Sequence, residues 1–189
     1  VYRRDLETGT TVQVTVRPNG MPSRGPGSSS ADVSANGQVV AFKSWAGNLV
    51  AGDTNGDSDT FAHDRTTGAT TRISVDSSGN QADASPGLDV PSALSADGRY
   101  VAFDSIASNL VAGDTNGTHD VFVRDTLNGT TTRISIGALG SQGNDYSHAP
   151  SISADGRYVA FQSAASNLVA DDTNGSVDIF VHDTQTGTT

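Results

Sequence analysis

The chain has 189 residues, 34% of them hydrophobic and none of them cysteine, with 21 acidic against 11 basic side chains for a net charge of -10. That length allows one sizeable core in a single domain. The missing cysteines exclude disulfides and thiolate metal sites, the acidity disfavours nucleic acid and anionic membranes and favours cations, and apolar runs as short as 100–103 exclude membrane insertion.

In chain order, residues 1–11 (VYRRDLETGTT) align with 179–189 (IFVHDTQTGTT), and 11–16 reads as a further strand. No basic, apolar, small-residue order opens the sequence, so no signal peptide is expected in it as it stands. Next come three blocks in fixed order. SANGQVVAF (34–42) recurs as SADGRYVAF at 95–103 and again at 153–161. NLVAGDTNG (48–56) recurs at 109–117, and as NLVADDTNG at 167–175. The third block starts at Asp59 (DTFAHDRTTGATTRIS), Asp120 (DVFVRDTLNGTTTRIS) and Asp178 (DIFVHDTQTGTT). A fixed period of about 60 residues is the signature of a repeat architecture.

Each unit predicts four antiparallel strands. In the last two copies these are a short inner strand (149–153), a turn through Ala154, Asp155 and Gly156, an apolar run (158–161), a long loop to 179–182, and a Gly-containing reversal (125–129) into 131–135. The apolar run lacks polar alternation, which predicts burial on both faces. Strand residues are β-branched or aromatic with no useful 3.6-residue period, so helix is not expected.

The order S-A-D-G-R-Y-V-A-F, D-[VI]-F-V-x-D and a Gly-containing turn resembles the repeat of TolB-like β-propellers over essentially the whole chain. It departs from that repeat in a longer loop between second and third strands. The resemblance implies an all-β propeller of four-stranded blades, often six in number, used for protein binding or attached to secreted enzymes. The expected division is 1–30 as third and fourth strands of a split blade plus an inter-blade loop, 31–88 and 89–146 as blades, and 147–189 as an incomplete blade. Three blades are too few to close a ring. Either two chains meet as a homo-oligomer to make a six-bladed ring, or the segment belongs to a longer propeller, its open edges being association-prone. A lone lysine, Lys43, and abundant Ser, Thr, Gly and Asn fit an extracellular or periplasmic bacterial protein.

The long loop carries D-T-N-G-x-x-D, whose alternating oxygens on a Gly-kinked loop suit Ca²⁺. The candidate ligands are Asp53, Asn55, Asp57 and Asp59, then Asp114, Asn116 and Asp120, then Asp172, Asn174 and Asp178. Thr118 and Ser176 replace Asp57, so the first loop is the richest donor set. The competing reading is turn chemistry without metal, Asp and Asn accepting local N–H bonds around an Asn-Gly turn.

Asp5, Asp64, Asp125 and Asp183 end each third strand and read as Asx turn caps rather than catalytic acids. The residues before them (Arg4, His63, Arg124 and His182) read as exposed strand ends, and Arg72 and Arg133 as outer-edge charges that discourage pairing. Gln81, Asp83, Gln142, Asn144, Asp145 and Tyr146 lie on inter-blade loops as partner-binding groups or solvated linkers. His119 and His148 are not repeated, and no hydrolase motif surrounds them. Trp45 reads as an exposed partner anchor or a gap filler. The expected function is a non-enzymatic binding or scaffold module, the alternative an accessory propeller of a secreted hydrolase or peptidase.

Overall fold

The computed structural model describes residues 1–25, 27–87 and 90–189. Thirteen strands form four separate antiparallel sheets among them. The first sheet is the hairpin β1 (Tyr2–Arg4) and β2 (Thr11–Gln13). The second runs β3 (Ser28–Val33), β4 (Val39–Ser44), β5 (Asp59–Asp64), β6 (Thr70–Arg72). The third repeats this order with β7 (Ala93–Leu94), β8 (Tyr100–Ser105), β9 (Asp120–Asp125) and β10 (Thr130–Arg133). The fourth holds β11 (Ser147–Ile152), β12 (Tyr158–Ser163) and β13 (Asp178–Asp183). The repeats thus give two four-stranded sheets, a three-stranded one and a two-stranded one. Ala138–Gly140 forms one 3-10 turn. No helix among the described residues is long and apolar enough to cross a membrane.

The turn between first and second strands is a side-chain device. Ser95 Oγ donates to Asp97 Oδ1 at 2.7 Å, and Asp97 Oδ1 also accepts the Arg99 amide, while Ser95 Oγ accepts the Tyr100 amide. Gly98 then takes φ 76°, a left-handed conformation that only glycine adopts without strain. Ser34 with Asn36 and Ser153 with Asp155 repeat the arrangement.

The cores lie between sheets. Val14, Phe42, Leu49 and Phe61 join the β1–β2 hairpin to the second sheet. Ala41, Ile73, Phe103, Leu110 and Phe122 join the second to the third. Ala102, Val121, Ile134, Phe161, Leu168 and Phe180 join the third to the fourth. Strands β4 and β8 are therefore buried at five consecutive positions, as their unbroken apolar runs predict. In β12 the same sequence alternates, because only one face of its sheet is covered. Phe161 and Phe180 stack inward at 5.9 Å, while Tyr158 (42% exposed), Ile179 (67%) and Val181 (53%) look outward.

The bounds of five strands shift from the sequence reading. The inner strand β11 begins at Ser147 rather than 149, and β13 gains an aspartate at each end. The fourth strand β10 stops at Arg133, although the Ile134 amide still bonds the Val121 carbonyl at 2.7 Å. At the N-terminus β2 stops at Gln13, and Val16 turns aside to bridge Pro22. Strand β3 starts at Ser28, inside the segment expected to be a linker.

Candidate functional site

All D-T-N-G loops and inter-sheet loops lie at one end of the sheets, because second strands end there, third strands begin there, and each fourth strand leaves from there toward the next inner strand. Within the first loop, Asp53 and Asp59 come together, both almost fully buried. Between them stands the fourth-strand arginine: Arg72 Nη2 lies 3.4 Å from Asp53 Oδ1 and Nε 3.3 Å from Asp59 Oδ2. Gln81, from the next inter-sheet loop, donates its amide to the same two oxygens at 3.1 and 3.0 Å. Ser74 Oγ donates to the other Asp59 oxygen at 2.5 Å. Asn55 and Asp57 do not join this group. Asn55 Oδ1 accepts the Asp57 amide, and its nitrogen donates to the Ala82 carbonyl.

The second loop repeats the design. Arg133 Nη1 sits 3.4 Å from both Asp114 Oδ1 and Asp120 Oδ2 and donates to Gln142 Oε1 at 3.0 Å. Asn116 donates to Asp120 and to the Gly143 carbonyl, and Ser135 Oγ bonds Asp120 Oδ1. In the third loop Asn174 donates to Asp178 Oδ2 at 2.8 Å, and no ion pair spans Asp172 and Asp178 among the described residues. As donor sets for calcium, the first two loops do not fit as they stand: a guanidinium occupies the place between the carboxylates. Among the described residues no group of three or more acidic or histidine side chains is placed to hold a metal ion.

Arg72 and Arg133 therefore are not outer-edge charges. They turn inward because two buried carboxylates need a counter-charge, and an uncompensated buried acid is costly. One cation for two acids leaves a residue of repulsion. Burial, then the Asp120 carboxylate, pushes Asp114 from its ordinary 3.8 up to about 6, with Arg133 opposing. Burial likewise raises Asp59.

The histidines before the turns are also buried rather than exposed. His63 and His182 each place Nδ1 3.0 Å from a threonine hydroxyl, of Thr70 and Thr189 respectively, and burial lowers their pKa. The strand-end aspartates cap turns as the sequence implies. Asp5, Asp64, Asp125 and Asp183 each accept two backbone amides. Asp125 and Asp183 also accept a bidentate arginine, Arg99 and Arg157, which holds both at about 2.

These shifts have opposite signs. The stabilising effect of Asp125 and Asp183 is present above pH 3.8 and lost as pH falls through about 2; that of Asp114 is present below 3.8 and lost as pH rises through about 6. Carbon-detected NMR of the carboxyl groups should therefore show one loop aspartate titrating near 6, and Asp114→Asn should remove that titration.

The inter-sheet loops are tied at the surface to the N-L-V-A loops by side-chain hydrogen bonds. Asn109 accepts the Asp83 amide and donates to the Gln81 carbonyl, while Asp83 accepts Ser108 through backbone and hydroxyl. Asn167 and Asn144 repeat the arrangement one sheet later, and Asn48 holds the Arg24 backbone at both ends. Sequence reasoning singled out Asn144 but passed over Asn48, Asn109 and Asn167. The available signal was their fixed place at the head of every N-L-V-A block.

Of the unrepeated residues, Trp45 is 42% exposed, beside Ile106 at the same register with 41%. His148 packs on Tyr146 at 5.4 Å between ring centres. Asp145 is exposed and accepts its neighbour's amide. His119 Nδ1 lies 3.9 Å from Asp104 Oδ2, and the other Asp104 oxygen is 3.4 Å from Lys43 Nζ in a buried pair.

No protein-family model matches the chain, and no curated protein matches it. Solved structures do. TolB from Acinetobacter baumannii superposes with a TM-score of 0.55 at 20% identity, covering 98% of this chain and 35% of that one. A putative TolB from Agrobacterium tumefaciens gives 0.53 at 18%, covering 97% and 51%. The fold is that of a TolB-like β-propeller. The chain spans only a third to a half of the TolB structures it matches. It also superposes on the β-propeller domain of the trilobed protease from Pyrococcus furiosus, with a TM-score of 0.51 at 12% identity over 88% of this chain and 42% of that one.

Proposed function

We propose that this chain is a non-enzymatic propeller module that works by protein–protein association, a second copy of itself included. The observation that supports this reading is the uncovered face of the last blade. At both complete blade junctions the corresponding face is buried: Ala102, Val121 and Val123 of the third sheet lie under the fourth. Of their counterparts, Ile179 and Val181 are exposed with Tyr158, and Ala160 is half-buried. At the other end Tyr2, the counterpart of the buried Phe61 and Phe122, is 69% exposed. A face made to receive a blade and a face made to be received therefore stand on opposite ends of one chain, an arrangement that closes a ring when two copies meet.

The peptidase structures with this fold favour a second reading. The chain matches 24% of the length of a prolyl endopeptidase, with a TM-score of 0.54 at 14% identity over 97% of this chain. In that reading the module is the accessory propeller of a hydrolase or peptidase whose catalytic part lies in other residues. The acidic, lysine-poor composition suits an extracellular or periplasmic setting in either case. Calcium enters the reading only through the third loop, where Asp172 and Asp178 have no arginine between them.

Light scattering across a concentration series tests the association. A mass that rises toward twice 19.3 kDa is expected, with Val181→Glu remaining monomeric and equally folded by circular dichroism. A native chain that stays monomeric at every concentration would sink self-association and leave the accessory reading.

A further inference from the structure

We propose that Arg72 and Arg133 are the resident cations of the first two D-T-N-G loops, and that removing either guanidinium opens a divalent-cation site between the aspartates it now joins. This inference is independent of how blades of different chains associate.

The geometry is that of an ion in a seat. Arg72 and Arg133 side chains are only 9% and 10% exposed, and the aspartates around them 0–5%. Arg72 Nε and Nη2 make no well-aligned hydrogen bond although each lies within 3.4 Å of a carboxylate oxygen, and the buried Arg133 Nε has no hydrogen-bond partner. Each guanidinium is held there by charge and by Nη1, which donates to the Gly52 carbonyl in Arg72 and to Gln142 Oε1 in Arg133. Around Arg133 Nη1 stand three oxygens from three separate elements: Asp114 Oδ1, Asp120 Oδ2 and Gln142 Oε1. Around Arg72 stand Asp53 Oδ1, Asp59 Oδ2 and the Gly52 carbonyl at 3.4 Å from Nη1, with Gln81 alongside. Two carboxylates plus neutral oxygens form a donor set that suits a hard cation completed by water. The repeat has filled that seat with its own fourth strand, which ties the long loop to the blade edge without any solute.

The chemistry follows from charge count. With the arginine present the site holds two acids against one fixed cation, and a calcium ion would have to enter beside a buried positive charge at roughly 3–4 Å. That repulsion is severe where water is excluded. With the arginine gone, two buried carboxylates face each other unpaired, and a divalent ion neutralises both.

The test compares melting in millimolar calcium with melting in excess chelator, with Asp178→Asn in every protein to keep the third loop out of the reading. The parent should melt at one temperature in both. Arg133→Ala should melt lower in chelator and recover by roughly 5 °C in calcium, by mass action on the folded state. Calorimetric titration should then find one ion per emptied loop. Arg133→Lys, which keeps the charge, should ignore calcium, and adding Asp114→Asn to Arg133→Ala should abolish the recovery. A parent whose melting depends on calcium and loses that dependence with Asp114→Asn would overturn the proposal. So would an Arg133→Ala protein that stays unfolded, or unchanged, in calcium.

Discussion

Replacing Asp120 by alanine is expected to destabilise the protein by about 3 kcal/mol, whereas Asp178→Ala, at the same place in the repeat, costs less than about 1 kcal/mol. Asp120 is fully buried and takes bonds from Ser135, Asn116 and the Arg133 guanidinium. Its loss strands a hydroxyl, an amide and half the neutralisation of a buried cation. Asp178 is half-exposed and receives the Asn174 amide alone among its side-chain partners. Urea unfolding of the two variants checks the contrast. Equal losses would mean that the motif, rather than its arginine, carries the stability.

The second large effect is in the blade junctions. Phe122→Ala should cost about 3–5 kcal/mol, lowering the melting temperature by roughly 6–20 °C for a chain of this size. Phe122 is fully buried, stacks on Phe103 at 5.7 Å, and belongs to the cluster that joins the second and third sheets. Measured at a concentration low enough to keep the chain monomeric, Ile179→Ala should change stability by less than about 0.5 kcal/mol, since its side chain is two-thirds exposed. Thermal melts of both variants give the comparison. A costly Ile179→Ala in the isolated chain would show that its face is already covered, which the association reading attributes to a second copy.

The blade was legible in the sequence because it depends on local chemistry that the repeat writes three times. Ser95, Asp97 and Gly98 specify their turn by side-chain bonds within five residues and one positive φ. Asp64, Asp125 and Asp183 cap their turns within three residues. The run YVAF declares burial on both faces wherever a neighbouring sheet stands on each side.

The loop site was only half legible. The sequence presents Asp53, Asn55, Asp57 and Asp59 as alternating oxygens, a spacing equally suited to a cation and to a turn. What separates these readings is Arg72, 13 residues after Asp59, and Gln81 from the next inter-blade loop. Neither is near the motif in sequence. The same distance hid the fate of His63 and His182, which turn inward onto threonine hydroxyls, and of Asn109 and Asn167, which bond the neighbouring inter-blade loop at the surface.

The sequence by itself determined the turn caps, which rest on contacts a few residues apart, and the repeat and all-β class, which recur at one period along the chain. The tertiary structure alone decided which polar groups are buried, which cation stands between the loop acids, and which blade face remains open. Those outcomes depend on sheets stacking on one another, and burial sets whether a charge must find a partner within the chain or can leave that task to water.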